Sequence, residues 1–66
     1  MKVTINGKEH VFTRELSISA LVRELRIDVK KVAIEKNLSI IPYSEYENMM
    51  LNEGDNLEIV SFIGGG

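Results

Sequence analysis

Two short alternating runs, residues 1–5 and 8–12, are separated only by Asn6-Gly7, and no other stretch restricts the folding of this chain so tightly. Asn-Gly between two such runs predicts a two-residue hairpin turn, because both central positions of a type I′ turn need φ > 0. Closing the turn sets Val3 opposite His10 and Met1 opposite Phe12. That register gathers Met1, Val3, Ile5 and Phe12 on one face, which then has to be covered. A lone hairpin is marginal in water, so the remainder of the 66 residues must supply the cover. His10, the single histidine, reads as a strand residue and is assigned no chemistry.

The cover follows directly. Ser17 is the expected N-cap of a helix, with Leu16 before it poised to meet Leu21 as a hydrophobic staple. Ile18, Leu21, Val22 and Leu25 fall at i, i+3, i+4 and i+7, a continuous apolar stripe suited to lie on the sheet. Residues 26–31 form a polar connection with Ile27 or Val29 tucked beneath it. Residues 32–36 read as a third strand, Asn37-Leu38 as a turn, and residues 39–41 as a short strand stopped by Pro42. Residues 44–47 suggest one helical turn capped by Ser44. After the Asn52–Asp55 turn, where Gly54 supplies φ > 0, residues 57–63 form the last strand. This order predicts an α+β fold, a mixed four- to five-stranded sheet with one main helix across one face. Leu57 and Ile59 should meet the helix. Val60 and Phe62 should point outward as a docking surface, with Val60 possible against Ala33.

Composition removes several function classes. A net charge of -2 and a pI near 5.3 leave no electrostatic footprint for nucleic acid. Cysteine is absent, which fits a reducing compartment. No apolar run has the length of a membrane span or signal-peptide core. A soluble, cytoplasmic protein, monomeric when free, is expected. No thiol, paired histidines or phosphate-cradling glycine loop is present, so neither catalytic residues nor a metal site is assigned. Glu45, Glu47, Glu53 and Asp55 sit in polar turns where carboxylates are expected to be solvated.

The last strand runs without a linker into Gly64, Gly65 and Gly66. Extended, Ile63 to Gly66 would reach roughly 13 Å beyond the strand at about 3.3 Å per residue. Such a thin, flexible tail can carry an α-carboxylate into a partner's buried site; an inconsequential frayed end reads equally well from these residues alone. Residues 1–63 are expected to form one domain and 64–66 its tail. A carboxylate is a poor electrophile until it is joined to AMP. The acyl-adenylate can then be displaced by a sulfur nucleophile, leaving a thiocarboxylate.

Asn6-Gly7, Leu21 and Leu25, Val32-Ala33-Ile34-Glu35 with Asn37, Ile41-Pro42 and Ser44-Glu45-Tyr46 together resemble the ThiS family of small sulfur carriers of thiamine biosynthesis. So does the run from Leu51 to Val60 followed by Phe62-Ile63-Gly64-Gly65-Gly66, the most specific part of a likeness that covers essentially the whole chain. The resemblance implies a ubiquitin-like β-grasp fold with first and last strands side by side at the sheet's centre. It implies that a ubiquitin-activating-like enzyme of the ThiF type adenylates Gly66, using ATP, and that a sulfur donor protein takes part. Sulfur then passes to a thiazole synthase of the ThiG type. The carrier itself would bind no cofactor and catalyse nothing. Val60, Phe62 and Ile63 would contact the partners. Tyr43, Lys36 and Leu38 depart from the family's common residues. Two alternatives share the tail: the small subunit of molybdopterin synthase, and a ubiquitin-like binding or conjugation module.

Overall fold

Asn6 and Gly7 take φ values of 52° and 81°, the left-handed pair that a type I′ turn requires. The hairpin they close pairs β1 (Lys2–Ile5) with β2 (Lys8–Val11), Val3 opposite His10. Reciprocal bonds of 2.8 Å between Met1 and Phe12 extend it by one residue pair. The computed structural model describes residues 1–62. After the hairpin come α1 (Ile18–Glu24), β3 (Val32–Lys36), β4 (Ser39–Ile40) and β5 (Asn56–Ser61). Single 3-10 turns lie at Val29–Lys31 and Tyr43–Glu45. The sheet has five strands in the order β2-β1-β5-β3-β4. β1 and β5 run parallel at its middle, and the other pairs are antiparallel.

The helix begins where its cap residue places it. Ser17 accepts a 3.0 Å bond from the Ala20 N–H, and Leu16 and Leu21 are both buried in the core. Ile18, Leu21 and Val22 pack with Val3, Ile5, Ile34 and Leu57, while Leu25 and Ile59 are partly buried at the margin. α1 ends in a Schellman motif: Ile27 N–H donates to the Val22 carbonyl at 2.9 Å and Arg26 N–H to that of Arg23 at 3.1 Å. Arg26 therefore takes φ 58°, where glycine is the usual occupant.

Three expectations need correction. The turn before Met49 starts one residue early, at Tyr43, with Pro42 rather than Ser44 at its cap and no side-chain cap bond. Pro42 holds φ at -63° and its carbonyl accepts the Glu45 N–H at 2.9 Å, so no hydroxyl is needed. The fourth strand is one residue shorter, Ser39–Ile40; the buried Ile41 still donates its N–H to the Ile34 carbonyl at 2.9 Å, and Pro42 then ends the pairing. Asp55 is not solvated but buried: its carboxylate accepts from the Asn37 amide at 3.1 Å and the Asn52 N–H at 2.8 Å. The Lys36 ammonium stands 3.6 Å away, so fixed donors replace the lost water.

Leu21 is fully buried, and Leu21→Ala should cost about 2–5 kcal/mol in urea unfolding, a large share of what so small a domain has. Leu38 repeats the hairpin geometry, with φ 75° after Asn37 at 52°, yet its side chain is 88% exposed. Left-handed backbone is costly for a leucine that packs against nothing. Leu38→Gly should raise stability by about 0.5–1 kcal/mol, the relief being partly offset by greater freedom of the unfolded chain. An unchanged or lower urea midpoint would show that the turn carries no such strain.

Candidate functional site

β5 is the strand that leads to the glycine tail, and its hold on the sheet changes along its length. At its start it is flanked by β1, Thr4 opposite Asn56 and Ile5 opposite Leu57. Thr4 N–H donates to the Asp55 carbonyl and Asn6 N–H to that of Leu57, each at 2.9 Å. β1 then ends, and the Asn6 side chain takes over the ladder. Its Oδ1 accepts the Ile59 N–H at 2.7 Å and its Nδ2 donates to the Ile59 carbonyl at 3.0 Å. On the other flank β3 pairs with β5 from Leu57 to Ser61. Asn37 Oδ1 accepts the Asn56 N–H at 2.9 Å there, and Asn37 N–H donates to the Asn56 carbonyl at 2.8 Å. Two asparagines, each first in a left-handed hairpin turn, thus hold the strand from opposite sides.

Beyond Ile59 only β3 supports the strand. Val60 pairs with Ala33 on the helix-free face and is 54% exposed. Phe62 is 61% exposed, and its N–H donates to the Lys31 carbonyl at 3.1 Å. Both residues are accessible, but they do not share the outward face expected of them: β5 ends at Ser61, and Phe62, one residue beyond it, turns to a groove whose wall includes the core-packed Val29 and Val32. Phe62 lines this mainly apolar groove of about 380 Å³ with Val29, Val32, Tyr43 and Tyr46, Lys30 standing at its edge. Tyr43 and Tyr46 meet edge to face at 5.3 Å. Burial pushes the Tyr46 phenol above its ordinary value, and the neighbouring Tyr43 adds to the rise. Ile63, Gly64, Gly65 and Gly66 lie outside the described residues.

The described residues hold no group of three or more potential metal ligands. His10 stacks on Phe12 at 6.2 Å as part of the hairpin surface. No helix of the described residues is long and apolar enough to cross a membrane. What the arrangement offers is presentation: a strand fixed at its base, an accessible valine and phenylalanine, and a groove beside them. The groove and the asparagine clamps were not foreseen from sequence. Asn at the first turn position was a signal for the clamps, since that residue is placed to offer a free amide. Tyr43 beside Pro42 was a weaker signal for the groove.

The clamp makes a direct prediction. Asn6→Gly keeps a residue that accepts φ > 0 but deletes both bonds to Ile59. It should cost about 1–2 kcal/mol and speed hydrogen exchange at the Ile59 amide. Unaltered exchange there would mean that β3 alone secures the strand.

Comparison with known proteins places this architecture. The model of the ThiS family matches residues 3–66. The sulfur carrier protein ThiS of Bacillus subtilis is 33% identical over 63 residues, covering 94% of this chain and 96% of that protein. A thiazole synthase of Paramagnetospirillum magneticum is 52% identical over 66 residues, and one of Magnetococcus marinus 35%. Each covers all of this chain, which spans only 20% of the length of either synthase. The crystal structure of a thiamine biosynthesis protein (ThiS) from Geobacter metallireducens superposes with a TM-score of 0.87 at 26% identity, over 100% of both chains. A mixed five-stranded β-grasp sheet under one helix, matched in sequence from Val3 to Gly66, makes this chain a member of the ThiS family.

Proposed function

We propose that this chain is a sulfur carrier of thiamine biosynthesis and that the carboxylate of Gly66 is its reacting group. The observation that carries the reading is a family match that runs from Val3 through all three tail glycines. In the reaction we infer, a carboxylate oxygen attacks the α-phosphate of ATP on a ThiF-type adenylating enzyme, and pyrophosphate leaves. A sulfur nucleophile at the sulfide oxidation level, furnished by a sulfur donor protein, then displaces AMP. The product is a thiocarboxylate, and the sulfur passes to a thiazole synthase. Whole-chain likeness to two thiazole synthases supports that last partner. The carrier supplies no catalytic side chain. Its contribution is to hold the base of the tail while Val60, Phe62 and Ile63 contact the partner.

Position of the carboxylate is the sensitive variable. Deleting Gly66, or adding one alanine after it, displaces the terminus by about 3.3 Å. In-line attack needs the reacting atoms about 3–3.5 Å apart, so either change should remove most ATP–pyrophosphate exchange. The melting temperature should hardly move, because β5 and its clamps end before the altered residue. Intact mass after incubation with the adenylating enzyme, ATP and sulfide should show one oxygen replaced by sulfur in the unaltered chain only. Equal exchange by the unaltered and shortened chains would sink the carrier reading.

A further inference from the structure

The helix-free face of the sheet has two dissimilar halves. On the β2–β1 side, Lys2 and Glu9 offset each other at 3.9 Å. On the β5–β3–β4 side, alternation from the buried Ile34 and Leu57 turns Ala33, Glu35, Glu58 and Val60 outward. Ile40 stands beside Glu35 on the same face. The register puts Glu35 directly opposite Glu58, where like charges repel. Neither carboxylate takes part in an ion pair among the described residues. Ile40 and Val60, flanking them, are 63% and 54% exposed. The isolated domain gains nothing from two opposed carboxylates set between two bare β-branched side chains.

We propose that this half-face docks a protein partner that seats an arginine between Glu35 and Glu58 and rests apolar side chains on Ala33, Ile40 and Val60. Opposed side chains in a sheet stand about 4.5–5.5 Å apart at Cβ, a gap that a guanidinium fork spans with a charge-assisted bond to each carboxylate. Charge complementarity also selects among occupants. A second copy laid on the same face would bring four carboxylates together, and a nucleic acid would bring its phosphates against them. The inference rests on the carrier reading for its partner, the adenylating enzyme, and Val60 makes the face continuous with the base of the tail.

The test uses the full chain and its double variant Glu35→Gln/Glu58→Gln with a ThiF-type adenylating enzyme. The variant should melt no lower than the unaltered chain, since it loses only repulsion. Its affinity should fall about tenfold, with a flatter dependence on salt. Exchange at saturating carrier should persist, because Gly66 is untouched. Equal affinity and equal salt dependence, with exchange intact, would overturn the docking face while the carrier reading stands. Salt-dependent binding lost in the variant, with no exchange by the unaltered chain, would keep the face and overturn the carrier reading. A dimer of the free chain that the variant dissolves would assign the face to a second copy and overturn the proposal.

Discussion

Everything in this fold waits on the pairing of β5 with β1. Parallel neighbours cannot be joined by a tight turn, so the connection between them is the whole of the chain from Asn6 to Asp55. Closing that loop is costly in entropy and is rewarded only when α1, β3 and the turns are in place. The bonds at the junction are correspondingly specific: they include backbone bonds from Gly54 to Lys2, from Thr4 to Asp55 and from Asn6 to Leu57, then the two ends of one asparagine amide on Ile59. A side chain that completes a ladder lets β1 stop early while β5 continues. That difference in length leaves the distal end of β5 free on one flank for a partner to reach.

Much of the architecture was legible because it rests on local chemistry. Asn6-Gly7 specified a turn and a register, Ser17 a helix start, and the spacing of Ile18, Leu21 and Val22 a buried stripe; each depends on neighbours in sequence. The failures were non-local. Asp55 reads as a turn carboxylate until Lys36 and Asn37, from a different hairpin, are seen to enclose it. Ser44 is a good cap residue, but the rigid φ of Pro42 had already started the turn. Leu38 has no local reason to be left-handed; the pairing of Glu35 with Ile40 and Lys36 with Ser39 leaves two residues to turn the chain, and it must comply.

The candidate site divides in the same way. Val60 was accessible to reasoning because alternation along one strand predicts which side chains a helix leaves uncovered; the orientation of Phe62 was not, because the strand ends one residue before it. The groove beside Phe62 was not, since Val29, Val32, Tyr43 and Tyr46 come from three separate segments. The opposition of Glu35 and Glu58 also needed the strand register, which hydrophobic pattern alone does not number. For the tail the informative evidence is sequence: a family match carried through Gly66.

The parallel arrangement of β1 and β5 has a mechanical meaning. β1 leaves Met1 and β5 arrives at Phe62 in the same direction, which sets these two residues at opposite ends of the sheet. Tension applied between them slides the two strands past each other and loads the bonds of Thr4, Asn6 and Ile59 together, in shear. A hairpin pulled at its open end would release such bonds one at a time. A partner that draws on the distal end of β5 while the start of β1 is held therefore has to break these bonds together and not in sequence.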